Sequence, residues 1–384
     1  MGKIAIYHPI FGNGGGEAVC MNVIEALQGS HDLTLYTISD IDRRELNEYF
    51  NTNVNHIAVE NTGFVTKGLN LSYEFLNSMS ESGLGRLHAS IFGQQLRPKL
   101  TDYDLVISTF GEFRFEAPSV QYVHYPLYNK SSIPDVIESR GSIRRIYDGV
   151  CEIASGNWRK SIDPEIMLAN SEWTANLNER VHGVPTRTIY PPVDTAGFQP
   201  KPWEQRKNGF VAIGRMDPSK RIEDLIEIAE QLQERGHDYP LHIIGPKHDK
   251  RYYKKMQERA SQNNRIFLEG KVSREKLIEL ICSYKYALHG MHHEHFGIVV
   301  AEFVAGGAIP FIHDSGGQKE IVGDEKQLRY ASIQDAVDKI DSVLTSPSEQ
   351  MRLKENLPNI EEQFGKKRFQ RQINNVVEDL IERC

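Results

Sequence analysis

GFVAIGRMDPSKRIEDLIEIAEQL, residues 209–232, passes from a short apolar run through a turn into a segment whose apolar residues recur at helical spacing. The run GFVAIG has the length of a buried strand, and a strand followed by a turn and an amphipathic helix is half of a βαβ unit. Strand-length runs alternate with longer amphipathic segments along most of the chain. This alternation predicts an α/β fold with parallel sheets covered by helices on both faces.

The apolar runs form two series. The first, between residues 3 and 193, consists of KIAIYHPI, HDLTLYTI, NVNHIAVE, DYDLVISTF, SVQYVHYP, EIMLAN and RTIYPPV. The second, between residues 209 and 330, consists of GFVAIG, LHIIG, RIFLEG, YALHG, AIPFIH and QLRY. Each series predicts a Rossmann-like, doubly wound sheet, and ligands of such folds bind beyond the carboxyl ends of the strands.

A linker separates the two series. The segment PPVDTAGFQPKPWEQRKNG, residues 191–209, holds four prolines and two glycines and has little apolar periodicity. We therefore predict an N-terminal domain over 1–196, a second domain over 197–365, and a C-terminal helix over 366–384 that can pack back on the first domain. We expect ligands in a central cleft that both sheets face.

The composition limits the classes of function. With 384 residues and 39% hydrophobic content, the chain can bury two cores. Acidic residues outnumber basic ones by 52 to 45, and the net charge of -7 argues against a nucleic-acid partner. The four cysteines show no C-x-x-C spacing, which favours a reducing compartment over a zinc site or a disulfide framework; they are Cys20, Cys151, Cys282 and Cys384.

The sequence predicts a cytoplasmic chain that is soluble or peripherally attached to a membrane. Its N-terminus enters a strand-like run without the regions of a signal peptide, and no stretch approaches the roughly 20 apolar residues of a spanning helix. Residues 63–100 are rich in leucine and phenylalanine, and form either ordinary helices or an apolar patch for a lipid acceptor. Arg140, Arg144 and Arg145 either support such docking or form a solvated helix face.

A glycine cluster follows the first strand, in FGNGGGEAVCMNVIEAL, residues 11–27. Glycines here let backbone N–H groups approach a phosphate or a sugar at the positive end of a helix. Gly12 and Gly14 also fit the first two positions of a dinucleotide fingerprint, and Asp40 follows the second strand. Glu17 occupies the place of the third glycine, which argues against that fingerprint but leaves an NAD-dependent oxidoreductase as an alternative.

Two cations flank the Asp217-Pro218 turn of the opening stretch, Arg215 after the strand and Lys220 at the expected start of the helix. A lysine is disfavoured at a helix N-terminus by the helix dipole, so an anionic ligand would explain its presence. Both side chains can converge on one diphosphate. The alternative is surface charges beside a turn.

Two glutamates eight residues apart bracket the start of another predicted helix, in YALHGMHHEHFGIVVAEFVAGGAIPFIHDSGG, residues 286–317. If Phe296–Gly307 is helical, Glu294 and Glu302 lie roughly 12 Å apart along the axis and about 80° apart around it. The N–H groups of residues 297–299 point between them and favour an anion. A nucleotide-sugar has this layout, with its sugar near Glu294, its diphosphate in the middle and its ribose diol near Glu302.

Both glutamates have simpler explanations. The histidines around Glu294 could help it hold zinc, but the spacing is not H-E-x-x-H and adjacent strand residues point to opposite faces, so we expect no metal. Glu302 could be a buried carboxylate paired with a structural cation. His124, in YVHYP at the carboxyl end of a strand, would not stand out by itself.

Taken together, the motifs resemble a known family. The E-x7-E pair at Glu294 and Glu302, with GRMDPSK, PPVD and HDSGG, is similar to the retaining glycosyltransferases of family 4, which have the GT-B fold. The segments GGGE (14–17), YVHYP (122–126), IYPPVD (189–194) and EHFGIVVAE (294–302) most resemble the mannosyltransferases that extend lipid-linked oligosaccharides with GDP-mannose. The chain has GGQKEIV (316–322) where the eukaryotic members tend to have a proline after the glycine pair, and we expect it to lack their N-terminal membrane anchor.

The resemblance implies roles for individual residues. Arg215 and Lys220 would hold the donor diphosphate together with the backbone of Gly297, Ile298 and Val299, and Glu302 would bind the ribose. Glu294 would contact the donor sugar, while His124, Gly15 and Gly16 would lie beside the anomeric carbon. The backbone near Val272 would border the base, and Phe296 is counted with the donor-binding residues. No cofactor or metal is implied, and the partners are a nucleotide-sugar and a glycan or lipid-linked acceptor.

Other functions stay open from the sequence. A UDP-sugar could replace GDP-mannose on the same fold, and an epimerase, a phosphorylase or an inactive nucleotide-binding subunit could share it. For transfer, we expect front-face attack, with the leaving phosphate accepting the acceptor's proton and the anomeric configuration retained, because no second carboxylate is placed as a nucleophile.

Overall fold

A computed structural model describes residues 1–12, 14–61, 85–128, 133, 142–156 and 162–383. The chain divides into two compact units, Met1–Pro192 together with Lys366–Cys384, and Val193–Gly365. Most of the apolar patch predicted over 63–100, and Arg140, lie outside the described residues.

The first unit is built on a seven-stranded sheet in which every neighbouring pair is parallel. Its strands overlap the seven predicted runs and are β1 (Lys3–Tyr7), β2 (Asp32–Tyr36), β3 (Ala58–Glu60), β4 (Leu105–Ser108), β5 (Ser119–Val123), β6 (Ile166–Ala169) and β7 (Thr186–Thr188). The order β3-β2-β1-β4-β5-β6-β7 reverses direction between β1 and β4. Ligands of doubly wound sheets bind at such a switch point.

The described helices of this sheet are α1 (Gly15–Leu27), α2 (Arg43–Phe50), α3 (Gly85–Leu100), α4 (Ser142–Ala154) and α5 (Glu172–His182). Glu17 closes the start of α1, because its carboxylate accepts hydrogen bonds from the backbone N–H of Gly12 at 2.9 Å and of Gly14 at 3.0 Å. The residue that breaks the dinucleotide fingerprint is therefore a helix cap.

The last helix of the chain (Lys366–Ile381, α14 in chain order) belongs to this first unit. Phe369, Ile373 and Val377 are buried with the apolar residues of α1, β1 and β2 in one core. Burial of each such side chain stabilises a fold by about 1.5 to 3 kcal/mol.

The second unit holds a six-stranded, fully parallel sheet. Its strands overlap the second predicted series and are β8 (Lys207–Ile213), β9 (Leu241–Ile244), β10 (Ile266–Gly270), β11 (Tyr284–His289), β12 (Ile309–His313) and β13 (Arg329–Tyr330). The order β10-β9-β8-β11-β12-β13 places the switch point between β8 and β11. The loops after these two strands carry the two motifs singled out in the sequence.

The helices of this unit are α6 (Ile222–Glu234), α7 (Lys250–Ala260), α8 (Arg274–Ser283), α9 (Ile298–Ala305), α10 (Lys319–Val322), α11 (Ile333–Leu344), α12 (Pro347–Asn356) and α13 (Ile360–Phe364). Short 3-10 turns cover Trp203–Gln205, Pro218–Lys220 and Lys326–Leu328.

Two predicted positions were wrong. Lys220 lies in a 3-10 turn before α6, and the predicted helix over Phe296–Gly307 is shorter, because Gly297 has a left-handed φ of 96° that precedes the first helical residue.

No described helix is both long enough and apolar enough to cross a membrane.

Candidate functional site

The switch point of the second unit brings Lys220 and Glu294 into contact. The ammonium nitrogen of Lys220 lies 2.9 Å from Oε2 of Glu294. His289, the last residue of β11, lies on the same oxygen at 3.3 Å through its Nε2. A carboxylate can only accept hydrogen bonds, so His289 is the donor in this contact. The two motifs from the loops after β8 and β11 therefore meet at one charged cluster.

Lys220 and His289 keep Glu294 ionised. Burial by itself would raise the pKa of Glu294, but the charge of Lys220 and the hydrogen bond from His289 outweigh it and hold the pKa well below the ordinary value. Burial lowers the pKa of His289, and Lys220 adds to that effect, while Glu294 opposes it. The cluster thus presents a carboxylate that accepts hydrogen bonds near neutral pH.

The turn that carries Glu294 is fixed by the loop after β12. Gly316, with a φ of 78°, approaches so closely that a Cβ there would lie 2.3 Å from the carbonyl oxygen of Glu294. The N–H of Gly317 donates to the same carbonyl at 2.7 Å. Gln318, fully buried, donates through Nε2 to the carbonyl of Met291 at 2.9 Å. The segment HDSGG and the following glutamine therefore position Glu294 from behind.

Arg215 takes a different direction from Lys220. Its side chain is 59% exposed, and its Nε lies 3.5 Å from a carboxylate oxygen of Asp217. The structure thus turns Lys220 toward Glu294 and leaves Arg215 at the surface beside Asp217. The predicted convergence of both cations on one diphosphate stays a prediction.

Glu302 is paired with Arg274, the first residue of α8. Nη1 of Arg274 lies 2.6 Å from Oε1 of Glu302, whose residue is 9% exposed. Burial raises the pKa of Glu302, and Arg274 offsets part of that rise. This is the geometry of a buried carboxylate with a cation partner, one of the two explanations that the sequence left open. The ribose-binding role of Glu302 stays a prediction.

The start of α9 lies between the two glutamates in the sequence. Phe296 is buried and its ring packs against Phe364, with the centroids 5.4 Å apart, so only its main chain is available to a ligand. Ile298 and Val299 are partly buried at the first turn. Val272, which precedes α8, packs against the same apolar cluster as Val299. The predicted donor-binding residues Val272, Val299 and Glu302 are therefore neighbours around the α8–α9 region.

The switch point of the first unit holds His124 and the glycine loop. A Cβ on Gly16 would lie 3.5 Å from Nε2 of His124, so the first turn of α1 runs directly past this ring. Gly15 is the first residue of the same helix. Nε2 of His124 also lies 3.0 Å from the carbonyl oxygen of Thr109. The structure therefore brings together the three residues of this unit that the family resemblance singles out.

Sequence reasoning missed several of the partners. His289, Arg274 and Thr109 contact predicted site residues directly, and Gln318 supports the turn of Glu294 through its hydrogen bond to the carbonyl of Met291. His289 and Thr109 had a usable signal, because each lies at or directly after the carboxyl end of a strand next to a switch point. Arg274 and Gln318 had none, since their contacts reach across 28 residues and 27 residues of chain.

Solved structures share this architecture. The chain aligns over 99% of its length with 100% of the chain in "Crystal structure of Anabaena Alr3699/HepE in complex with UDP and glucose", with a TM-score of 0.69 and 16% identity. It also aligns over 97% of its length with 99% of WaaG, "a glycosyltransferase involved in lipopolysaccharide biosynthesis", with a TM-score of 0.66 and 14% identity. The fold is GT-B, as the motifs predicted.

A family model confirms the class. Residues 194–359 match the family described as "Glycosyl transferases group 1". The second unit therefore contains a glycosyltransferase domain, and the chain is a glycosyltransferase rather than an NAD-dependent oxidoreductase.

The curated relatives carry a more specific name. "GDP-Man:Man(3)GlcNAc(2)-PP-Dol alpha-1,2-mannosyltransferase" of Dictyostelium discoideum is 22% identical over 437 residues, which cover 99% of this chain and 85% of the relative. The proteins of the same name from Mus musculus and Homo sapiens are 25% and 24% identical, covering 82% and 90% of this chain and 73% and 80% of their own lengths. The predicted resemblance to mannosyltransferases of lipid-linked oligosaccharides is confirmed.

Proposed function

We propose that this glycosyltransferase transfers mannose from GDP-mannose to a lipid-linked oligosaccharide, with retention of the anomeric configuration and without a metal ion. The printed name of the relatives supports the donor and the acceptor. The observation on which the proposal chiefly depends is the contact of Lys220 with Glu294 at 2.9 Å, in the loops where a doubly wound sheet binds its ligand.

The chemistry assigns a different task to each partner of this contact. When the bond from the sugar to the diphosphate breaks, negative charge grows on the leaving phosphate, and an ammonium group such as that of Lys220 stabilises it. Glu294, held ionised, can accept hydrogen bonds from hydroxyl groups of the sugar. Removal of one such stabilising group typically costs about 2.7 to 4 kcal/mol, or 10² to 10³ in rate.

The first turn of α9 and Arg215 complete the proposed diphosphate site. The N–H groups at a helix N-terminus favour an anion, and Gly297 gives the chain a close approach there. Arg215, whose side chain is 59% exposed, can reach a phosphate by a change of rotamer. In front-face attack, the leaving phosphate takes the proton of the acceptor hydroxyl while the new glycosidic bond forms on the same face.

The lipid acceptor requires contact with a membrane surface, and we assign this contact to α4. Ile146, Val150 and Ile153 lie on one side of this helix at i, i+4 and i+7 and are 69%, 44% and 62% exposed. Arg145 is exposed next to them, and the acidic Asp148 is buried against Arg86. An apolar stripe with a basic residue beside it suits the interface of an anionic bilayer. We place the enzyme at the cytoplasmic face of the membrane.

A donor and acceptor panel tests the proposal. The purified chain is incubated with a synthetic diphosphate-linked oligosaccharide and GDP-mannose, UDP-glucose or UDP-N-acetylglucosamine, and products are identified by mass spectrometry. We expect transfer from GDP-mannose, an α-configured product by NMR, and equal rates with and without EDTA. Transfer from a UDP-sugar alone would refute the donor assignment, and a β-linked product would refute retention.

A further inference from the structure

Three polar residues follow three adjacent strands of the first unit. His8 comes directly after β1, Thr109 directly after β4 and His124 directly after β5. These strands are neighbours in the sheet, so their carboxyl ends lie side by side at the switch point. Thr109 is the central member, because Nδ1 of His8 lies 2.9 Å from its Oγ1 and Nε2 of His124 lies 3.0 Å from its carbonyl oxygen.

The carbonyl of Thr109 determines which nitrogen of His124 carries hydrogen. A carbonyl oxygen can only accept a hydrogen bond, so Nε2 of His124 must be the donor. Burial lowers the pKa of His124 to about 4, and the Thr109 carbonyl offsets only part of that effect. The ring is therefore neutral near pH 7 and has one hydrogen, on Nε2. Its second nitrogen, Nδ1, is left with a lone pair.

Thr109 is itself held in place. Thr109 is fully buried, and its backbone N–H donates to the carbonyl of Tyr7 at 3.2 Å. His8 is 1% exposed and its ring packs against Phe11, with the centroids 4.5 Å apart. Burial and the neighbouring His124 lower the pKa of His8 to about 3, so His8 is neutral as well. The buried hydrogen bond between Oγ1 of Thr109 and Nδ1 of the neutral His8 ring therefore fixes the position of the Thr109 carbonyl.

We propose that Thr109 and His8 are positioning residues that fix His124 as the Nε2–H tautomer, so that its Nδ1 serves as a hydrogen-bond acceptor for a hydroxyl group of the sugar substrate. The assignment of a sugar to this position rests on the proposed function. Thr109 acts through His124, and His8 acts through Thr109. His124 then orients a hydroxyl group and takes no part as a general acid at neutral pH.

The tautomer can be measured directly on the intact protein. Histidine labelled with 15N is incorporated, and the ring resonances of His124 are assigned from the signals that disappear in His124→Gln. We expect a protonated, pyrrole-type Nε2 and an unprotonated, pyridine-type Nδ1 from pH 6 to pH 8. A hydrogen on Nδ1, or equal populations of the two tautomers in the unaltered chain, would overturn the proposal.

Two matched pairs of variants test the positioning residues. Thr109→Val removes Oγ1 and keeps the shape, whereas Thr109→Ser keeps Oγ1. His8→Phe keeps an aromatic ring but removes Nδ1, whereas His8→Asn can place a polar atom near the position of Nδ1. We expect Thr109→Val and His8→Phe to mix the tautomers of His124 and to lower kcat roughly 10- to 100-fold, since small misplacements have effects of this size. In Thr109→Ser and His8→Asn, we expect the single tautomer of His124 and the kcat of the unaltered chain to be kept.

The controls separate positioning from a merely structural effect. If Thr109→Val and His8→Phe lower only the unfolding midpoint, while His124 keeps one tautomer and the kcat of the enzyme is unchanged, the proposal is wrong. If Thr109→Val or His8→Phe does not fold, the spectra of the matched variant, Thr109→Ser or His8→Asn, and of the unaltered chain still test the tautomer of His124. The spectrum needs no substrate, so a failed transfer assay with GDP-mannose would leave the tautomer result standing, and the reverse is also true.

Discussion

Lys220 and Glu294, which are 74 residues apart in the chain, meet through Nζ and Oε2 at 2.9 Å. Their side chains are 17% and 15% exposed, so water screens the pair only partly. Under the proposed function, the ammonium group that would bind phosphate and the carboxylate that would bind a sugar hydroxyl are partners in one ion pair. The same contact links the stability of the second unit to its chemistry.

Loss of Lys220 should lower both stability and activity. In Lys220→Met the partly buried carboxylate of Glu294 loses its main counter-charge, and removal of one member of a buried pair costs about 3 kcal/mol or more. We expect a loss of about 3 kcal/mol in the free energy of unfolding, measured with urea, and a fall in transfer rate of 10² to 10³.

An exposed ion pair of the same length provides the control. Lys276 and Glu279 are also 2.9 Å apart, but their side chains are 50% and 61% exposed, so Lys276→Met should leave the free energy of unfolding nearly unchanged. The double variant Lys220→Met with Glu294→Gln should regain part of the stability and none of the activity. Equal losses in the buried and the exposed pair would contradict this account.

The contributions of Glu294 and Glu302 to the free energy of unfolding should change with pH in opposite directions. The folded-state pKa of Glu294 lies below the ordinary value of 4.5, so its stabilising contribution is present above pH 4.5 and is lost as the pH falls through the folded-state pKa. The folded-state pKa of Glu302 is raised, so its contribution is present below pH 4.5 and is lost as the pH rises through the folded-state value.

Urea titrations between pH 3 and pH 7 test these signs. We expect the stability difference between the unaltered chain and Glu294→Gln to grow as the pH rises to 4.5. The corresponding difference for Glu302→Gln should shrink as the pH rises above 4.5. Parallel curves for the two variants would show that the electrostatic assignment is wrong.

Gly316 should tolerate no side chain. Alanine there combines a left-handed φ of 78° with a Cβ only 2.3 Å from the carbonyl oxygen of Glu294. Gly323 is the matched control, because its φ is 60° and nothing lies within 4 Å of the position of its Cβ. We expect Gly323→Ala to cost about 1 to 2 kcal/mol for backbone strain, and Gly316→Ala to cost more and to reduce transfer. Equal unfolding midpoints for the two variants would contradict the close approach.

The apolar stripe of α4 should bind lipid. The triple variant Ile146→Ser, Val150→Ser and Ile153→Ser removes exposed side chains worth about 1 kcal/mol each at an interface, so binding should weaken roughly 100-fold. Flotation with vesicles of phosphatidylcholine and phosphatidylglycerol measures it. A triple variant of exposed residues elsewhere, Val59→Ser, Phe267→Ser and Met351→Ser, should float like the unaltered chain. If both triple variants float equally, α4 is not the docking face.

The strands and the class of protein were predictable from the sequence. Parallel strands that are buried on both faces read as continuous apolar runs, and all thirteen strands in the described part of the chain overlap predicted runs. The sequence also singled out Lys220 and Glu294, because turns after strands next to a switch point carry ligand-binding groups. The structure brings these two residues into contact, and their roles in binding stay predictions. The boundaries were less predictable, since Gly297 adopts a positive φ that no apolar period reveals.

The partners of the site residues were not predictable, for a physical reason. Arg274 was one of many charged residues at helix starts, and only the packing of α8 beside α9 brings it to Glu302. The position of Thr109 directly after β4 was a usable signal, but the contact of its carbonyl with His124 was not, because every residue has a carbonyl group. Periodicity reports which face of an element is buried, whereas these contacts depend on the register between distant elements.

The helix α14 has a consequence for the order in which the protein is made. The second unit is a single insertion whose ends meet, with the N–H of Val193 donating to the carbonyl of Phe364 at 2.9 Å. A ribosome therefore releases all of the second unit before it releases Phe369 and Val377, which complete the core of the first. During synthesis, the first unit begins to emerge before the second but can complete its fold only after the second has been made. A stop codon that removes α14 would leave the apolar core residues of α1, β1 and β2 without their covering helix.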